Sequence, residues 1–121
     1  MKIVVTSEGQ TLDAMVDPRF GRCNYFLLID TDTDKIEAIQ NPSTQQTGGA
    51  GIQAGQLIVS KGTEVVLTGN MGPNAFQVIQ SAGIKVVTGV SGKISEALQA
   101  YKNGKFSPVA NPNVGSKSGM S

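Results

Sequence analysis

Histidine and tryptophan are absent from this sequence, and cysteine occurs once. Without histidine the chain lacks the most common metal ligand and the most common general base near neutral pH. One thiol cannot close an internal disulfide. The amino terminus runs straight into KIVVT (residues 2–6) with no apolar stretch and small-residue cleavage site of a secretory signal, so a cytoplasmic location is expected. No run approaches the ~18 apolar residues that cross a bilayer. An excess of charge is missing too: ten Lys and Arg face nine Asp and Glu, a formal net charge of +1. Neither a basic field for nucleic acid nor an acidic tail is present, and no charge-driven partner or membrane surface is expected.

What is there fits one domain. A chain of 121 residues buries a sizeable single core and is too short to divide in two. KIVV (residues 2–5) and YFLLID (residues 25–30) are short apolar runs suited to buried strands, and KIEAIQN (residues 35–41) follows a polar turn to complete a hairpin. The rhythm then becomes helix (50–60), strand (64–68), helix (74–82), strand (85–88) and helix (91–101). In the last helix Ile94, Ala97, Leu98 and Tyr101 form one apolar stripe. This alternation predicts parallel strands joined by right-handed crossovers. The expected fold is an α/β sandwich with a five-stranded mixed sheet of order 3-2-1-4-5, strand 2 antiparallel, and about three helices, built from residues 1–106. Residues 107–121, rich in Pro, Ser, Gly and Asn, read as a flexible tail. No internal repeat is visible.

Three glycine loops precede helices: TGGAG (47–51), TGNMGPN (68–74) and TGVSGK (88–93). In a parallel sheet such loops collect at the carboxyl edge, where α/β proteins bind ligands. Each helix amino terminus offers unpaired N–H groups and a positive dipole end, although glycine before a helix is also simply a tight turn. GAGIQA (49–54) matches a dinucleotide fingerprint only loosely, since no strand leads into it and Asn70 stands about where a ribose-binding acid belongs. A P-loop is absent. Neither KIVVT (residues 2–6) nor EVVLT (residues 64–68) carries an acidic residue in the strand interior to hold the cations of a two-metal nuclease.

DPRFGRC (17–23) holds both arginines and the one thiol. A guanidinium fork recognises polyatomic anions where lysine supplies a point charge. Arg19 and Arg22 therefore add positive charge to the crevice. Cys23 is open to two readings, a thiolate metal ligand with a pKa lowered by the arginines or a small buried hydrophobe. Phe20 reads as a core anchor more readily than as a recognition ring, and Asp17 either orients an arginine or pairs with one at the surface. Enzyme chemistry through Cys23 is disfavoured, because no histidine can activate the thiol.

DPRFGRCNYFLLID, GGAG and GNMGPNAFQVIQSAGIKV, in this order and spacing, resemble the dinitrogenase iron-molybdenum cofactor biosynthesis family from about residue 1 to 101. The resemblance implies a ribonuclease-H-like sandwich without nuclease activity and a role in binding preassembled metal-sulfur clusters or their precursors. It places the family's arginine segment on Arg19, Phe20, Gly21 and Arg22, and its glycine loops on Gly48, Gly49, Gly51, Gly69, Gly72 and Pro73; Asn70 and Asn74 of the same loop join the candidate cofactor-binding set. Cys23 is the candidate metal ligand. One thiol and no histidine cannot assemble a four-ligand iron-sulfur site, so a cluster of Fe-S, Mo-Fe-S or Mo-Cu-S type would arrive complete as an anion. The expected function is non-enzymatic carriage of such a cluster, with cluster-donor or cluster-acceptor proteins as partners. The alternative is a metal-free binding or regulatory module for a small phosphate-bearing or organic anion.

Overall fold

A computed structural model of the chain describes residues 1–42 and 49–113. Five strands, β1 (Lys2–Ser7), β2 (Tyr25–Asp30), β3 (Lys35–Gln40), β4 (Val65–Leu67) and β5 (Lys85–Val87), alternate with α1 (Ala50–Ser60), α2 (Pro73–Ser81) and α3 (Ile94–Lys102) in the order β1-β2-β3-α1-β4-α2-β5-α3. The sheet order is β3-β2-β1-β4-β5. β1 pairs antiparallel with β2 and parallel with β4, and β4 pairs parallel with β5. This is the mixed α/β sheet that the sequence rhythm predicts.

Period two along the strands divides the core into two layers. Val4, Phe26, Val66 and Val86 face Ala54 and Ile58 of α1 and Ala75, Phe76 and Ile79 of α2. Ile3, Val5, Leu27, Val65, Leu67 and Val87 face Ile94, Ala97 and Leu98 of α3. Because helices cover both sides, Ile3, Val4 and Val5 are all completely buried, which is why β1 reads as a continuous apolar run. β3 is different. It lies at the sheet edge with Lys35, Ile36 and Glu37 exposed, and charged residues there oppose pairing with another chain.

Most boundaries fall within one residue of the sequence expectation, and two segments depart further. α3 begins at Ile94 rather than residue 91, because Gly92 takes φ 89° and Lys93 is the extended N-cap residue. Its leading donors are already engaged: Ile94 N–H bonds to Ala14 O at 2.9 Å and Ser95 N–H to Leu12 O at 2.9 Å. The segment expected to trail after Phe106 has no helix or strand over residues 107–113, but it is tied to the domain. Val109 N–H donates to Val86 O on the open side of β5 at 2.8 Å, Val109 packs on the first core layer, and the Asn113 side chain bonds to Gly69, Asn70 and Met71. The missing apolar period therefore excludes a helix without excluding docking. Ending the chain after Phe106 is expected to lower the unfolding free energy by about 2–4 kcal/mol, read as a lower urea midpoint, since a backbone bond, a valine contact and a side-chain amide are lost together.

Candidate anion site at the carboxyl edge of the sheet

The connection between β1 and β2 is anchored where β1 ends. Asp17 N–H donates to Thr6 O at 2.9 Å, and the Thr6 hydroxyl donates to Asp17 O at 2.7 Å. With its own hydrogen used there, Thr6 Oγ1 accepts from the buried Thr68 hydroxyl at 2.8 Å, so the ends of β1 and β4 jointly hold this turn. Asp17 is only 2% exposed, and its carboxylate accepts from Arg19 N–H at 3.0 Å and Arg19 Nε at 3.3 Å. The side chain of Arg19 is itself 60% exposed. Asp17 thus orients an arginine from inside the protein, and the reading of a surface pair gives way to this one.

From Pro18 the segment pairs with the loop after β4. Asn70 N–H donates to Pro18 O at 2.7 Å and Phe20 N–H to Asn70 O at 3.2 Å, forming a parallel bridge between Arg19 and Asn70. Such proximity requires glycine: a Cβ on Gly69 would stand 2.7 Å from Pro18 Cα. Further along, a Cβ on Gly21 would meet Gly51 Cα and N at 3.1 Å, and one on Gly51 would meet Ala75 Cβ at 3.3 Å. Small residues therefore bring the arginine loop, the first turn of α1 and the first turn of α2 into mutual contact.

Both helix starts are suited to an anion. Gly49 caps α1 in the left-handed region at φ 73°, Gly72 caps α2 in an extended conformation, and Pro73 opens α2. Neither start has a side-chain cap or an acidic residue in its first turn. The third glycine loop differs, since the segment at Leu12 and Ala14 occupies the start of α3. Arg19, Gly21, Arg22, Gly49, Gly51, Gly69, Asn70, Gly72 and Asn74 all belong to the loops and helix starts of the carboxyl edge; Gly48 lies outside the described residues. A depression of about 600 Å³ opens at the opposite edge, beside Met1, Tyr101 and Phe106 with Lys85 and Lys102 in its lining. It contains none of these loops.

Two expected site residues sit inward. Phe20 is 2% exposed, with its ring 5.5 Å from that of Phe26 and tilted by 51°, so it anchors the loop in the core rather than facing a ligand. Cys23 is completely buried in the same layer, and its thiol donates to Phe20 O at 3.4 Å. Burial, with the nearby Asp17 carboxylate as a lesser cause, pushes the Cys23 thiol well up from its ordinary range. Adjacency to two arginines in sequence does not become a lowered pKa in space. The expectation of a thiol whose pKa the arginines lower is corrected accordingly, and Cys23 sits as a small buried side chain. Among the described residues no three His, Cys, Asp or Glu side chains are grouped to hold a metal ion.

Two asparagines were not singled out by the sequence. Asn41, 2% exposed, donates through Nδ2 to Gly21 O and Cys23 O, each at 3.0 Å, and so supports the arginine loop from beneath. Asn113 Oδ1 accepts from Met71 N–H at 2.8 Å, while its Nδ2 donates to Gly69 O and Asn70 Oδ1, each at 3.0 Å. The only signal for either was a polar residue beside proline, which turns and tails share.

A small α/β sandwich with a mixed five-stranded sheet, an arginine loop and two glycine-capped helix starts at one sheet edge describes the class of protein, and comparison of the sequence narrows it. The sequence model of the family described as dinitrogenase iron-molybdenum cofactor matches residues 1–104, and the chain belongs to that family. The apo form of the orange protein from Desulfovibrio gigas superposes with a TM-score of 0.89 at 42% identity, over 93% of this chain and 95% of that one. A Thermotoga protein solved by NMR and described as NifB-like, of the DUF35 family, gives a TM-score of 0.76 at 33% identity over 88% and 91% of the two chains. An uncharacterized protein of Methanocaldococcus jannaschii is 29% identical over 109 residues, 88% of this chain and 89% of its own. No helix among the described residues is long and apolar enough to cross a membrane.

Two outcomes test this geometry. Gly69→Ala forces Cβ against the Pro18 backbone and is expected to cost about 1–3 kcal/mol in denaturant titration, because the neighbour is main chain and not a flexible side-chain end. For Cys23, a folded-state pKa above the unfolded one means that the unfolded chain releases the thiol proton first. Stability is unaffected below the ordinary thiol pKa near 9.0 and falls as pH rises beyond it. The slope approaches about 1.4 kcal/mol per pH unit for this group. Cys23→Ala is expected to lower the starting stability but flatten that part of the alkaline slope, measured as unfolding free energy from pH 8 to about 10.5.

Proposed function

We propose that the protein binds, without catalysing a reaction, a preassembled anionic metal-sulfur cluster or its precursor as cargo and passes it on. The observation that carries this reading is the convergence of the Arg19–Arg22 loop with two helix starts that lack both a side-chain cap and an acidic first turn. Membership of a family named for the iron-molybdenum cofactor, and likeness to an orange protein described in its apo form, support a cofactor-related role. The residues suit an anion that arrives complete: a fork of donors on Arg19, the Arg22 guanidinium, and main-chain N–H groups near Gly51 and Gly72. Because Cys23 is enclosed by the core, attachment relies on charge and hydrogen bonds and not on a thiolate. A carrier must release its cargo, which suits a dissociation constant on the order of micromolar, about 8 kcal/mol.

The enclosed thiol also favours a second reading, a metal-free module for a small phosphate-bearing or organic anion, since the same donors serve any oxyanion. Anaerobic titration of the apo-protein with tetrathiomolybdate plus copper, and separately with preformed iron-sulfide clusters, is expected to give a stoichiometric visible chromophore that survives Cys23→Ala. Absence of any chromophore, with thermal stabilisation by phosphorylated metabolites instead, would replace the first reading by the second. Arg19→Lys and Arg22→Lys keep the charge and lose the fork; each is expected to weaken binding about three- to tenfold while moving stability by less than about 1 kcal/mol. Lost stability with unchanged affinity would make the arginines parts of a structural loop.

A further inference from the structure

We infer that Asn113 is a positioning residue of the anion site, brought back by the C-terminal segment to complete the loop at residues 69–72. This rests on the reading of that edge as an anion site. The side-chain amide behaves as a detached peptide group. Its oxygen accepts from Met71 N–H and its nitrogen donates to Gly69 O, so it pairs with the loop as a neighbouring strand would. A flipped amide would set oxygen against the Gly69 carbonyl and NH2 against the Met71 N–H, and the orientation is therefore fixed by chemistry.

Three consequences bear on ligand binding. Met71 is 1% exposed, and satisfying its N–H lets the side chain remain in the core while the next residue, Gly72, turns to cap α2. Asn113 sets the entry of the chain into the helix start proposed to receive the anion. The bond from Nδ2 to Asn70 Oδ1 engages one of the two lone pairs of that oxygen. Asn70 keeps both N–H donors of its NH2 with only part of its acceptor capacity left, a balance that suits an anion better than a cation. Finally, the segment is fastened upstream where Val109 N–H bonds to Val86 O, so Asn113 reaches the loop from a fixed point on β5.

Backbone hydrogen exchange and ligand titration, on the full-length protein and on Asn113→Ala and Asn113→Asp, separate positioning from mere support. Asn113→Ala is expected to raise exchange at Met71 about tenfold or more while amides of Val4 and Val66 keep their protection. It should also weaken binding of tetrathiomolybdate plus copper about tenfold, the equivalent of ~1.4 kcal/mol. Asn113→Asp keeps an acceptor for Met71 N–H but adds negative charge beside Asn70. Protection at Met71 should largely return, whereas anion binding should stay as weak as in the alanine variant or become weaker. Unchanged exchange at Met71 in Asn113→Ala, or unchanged probe affinity in both variants, would overturn the proposal. If the unsubstituted protein binds no probe, the cargo reading fails, while the exchange arm, which needs no ligand, still decides whether Asn113 holds the loop.

Discussion

The carboxyl edge of this protein is organised by the place where Gly69 has no side chain. Pro18 lies against that bare main chain, and the approach allows Asn70 N–H to reach Pro18 O at 2.7 Å and Phe20 N–H to reach Asn70 O. A loop of the β1–β2 connection is thereby locked to the loop after β4. Gly21, carried along by this pairing, seats on Gly51 at the start of α1, and Gly51 seats on Ala75 at the start of α2. Two helix dipoles and an arginine loop meet because three successive contacts exclude a Cβ or nearly so.

The buried carboxylate of Asp17 works on the same edge by charge. Enclosing a carboxylate costs desolvation, which is offset here by the Arg19 backbone N–H and guanidinium. The pair holds Arg19 along its Nε–Nη2 edge, with Nη2 at 3.5 Å. A planar group engaged on one edge turns its remaining edge elsewhere, so the carboxylate gives direction to a side chain that is otherwise largely exposed. The hydroxyls of Thr68 and Thr6 tie the main chain of Asp17 to the end of the sheet through two short hydrogen bonds.

Strands and helices were legible where a period repeats. The apolar runs at 2–5 and 25–30 and the stripe Ile94, Ala97, Leu98 and Tyr101 state which faces are covered, and the sheet order follows from their alternation. The glycine loops and arginines were legible as neighbours because parallel topology gathers such loops at one edge. The fate of Cys23 was not. Its surroundings, Phe20, Phe26 and Asn41, come from separate segments, and sequence proximity to Arg22 says nothing about which way a thiol points. Asn41 and Asn113 escaped notice for the same reason: each acts through a single side-chain amide on carbonyls and N–H groups far along the chain, which leaves no periodic trace.

On the proposed reading, a cradle of peptide N–H groups and guanidinium has a bearing on how an anion would be taken up and released. Peptide groups have no proton to lose near neutrality, and a guanidinium keeps its own. Histidine is absent, and the thiol is shut away in the core. Those donors thus carry the same charge in mildly acidic and mildly alkaline surroundings. If such a cradle holds an anion, a dependence of uptake on acidity in that interval would report the protonation of the guest, and unloading would have to be driven by a recipient or by a change in the guest itself.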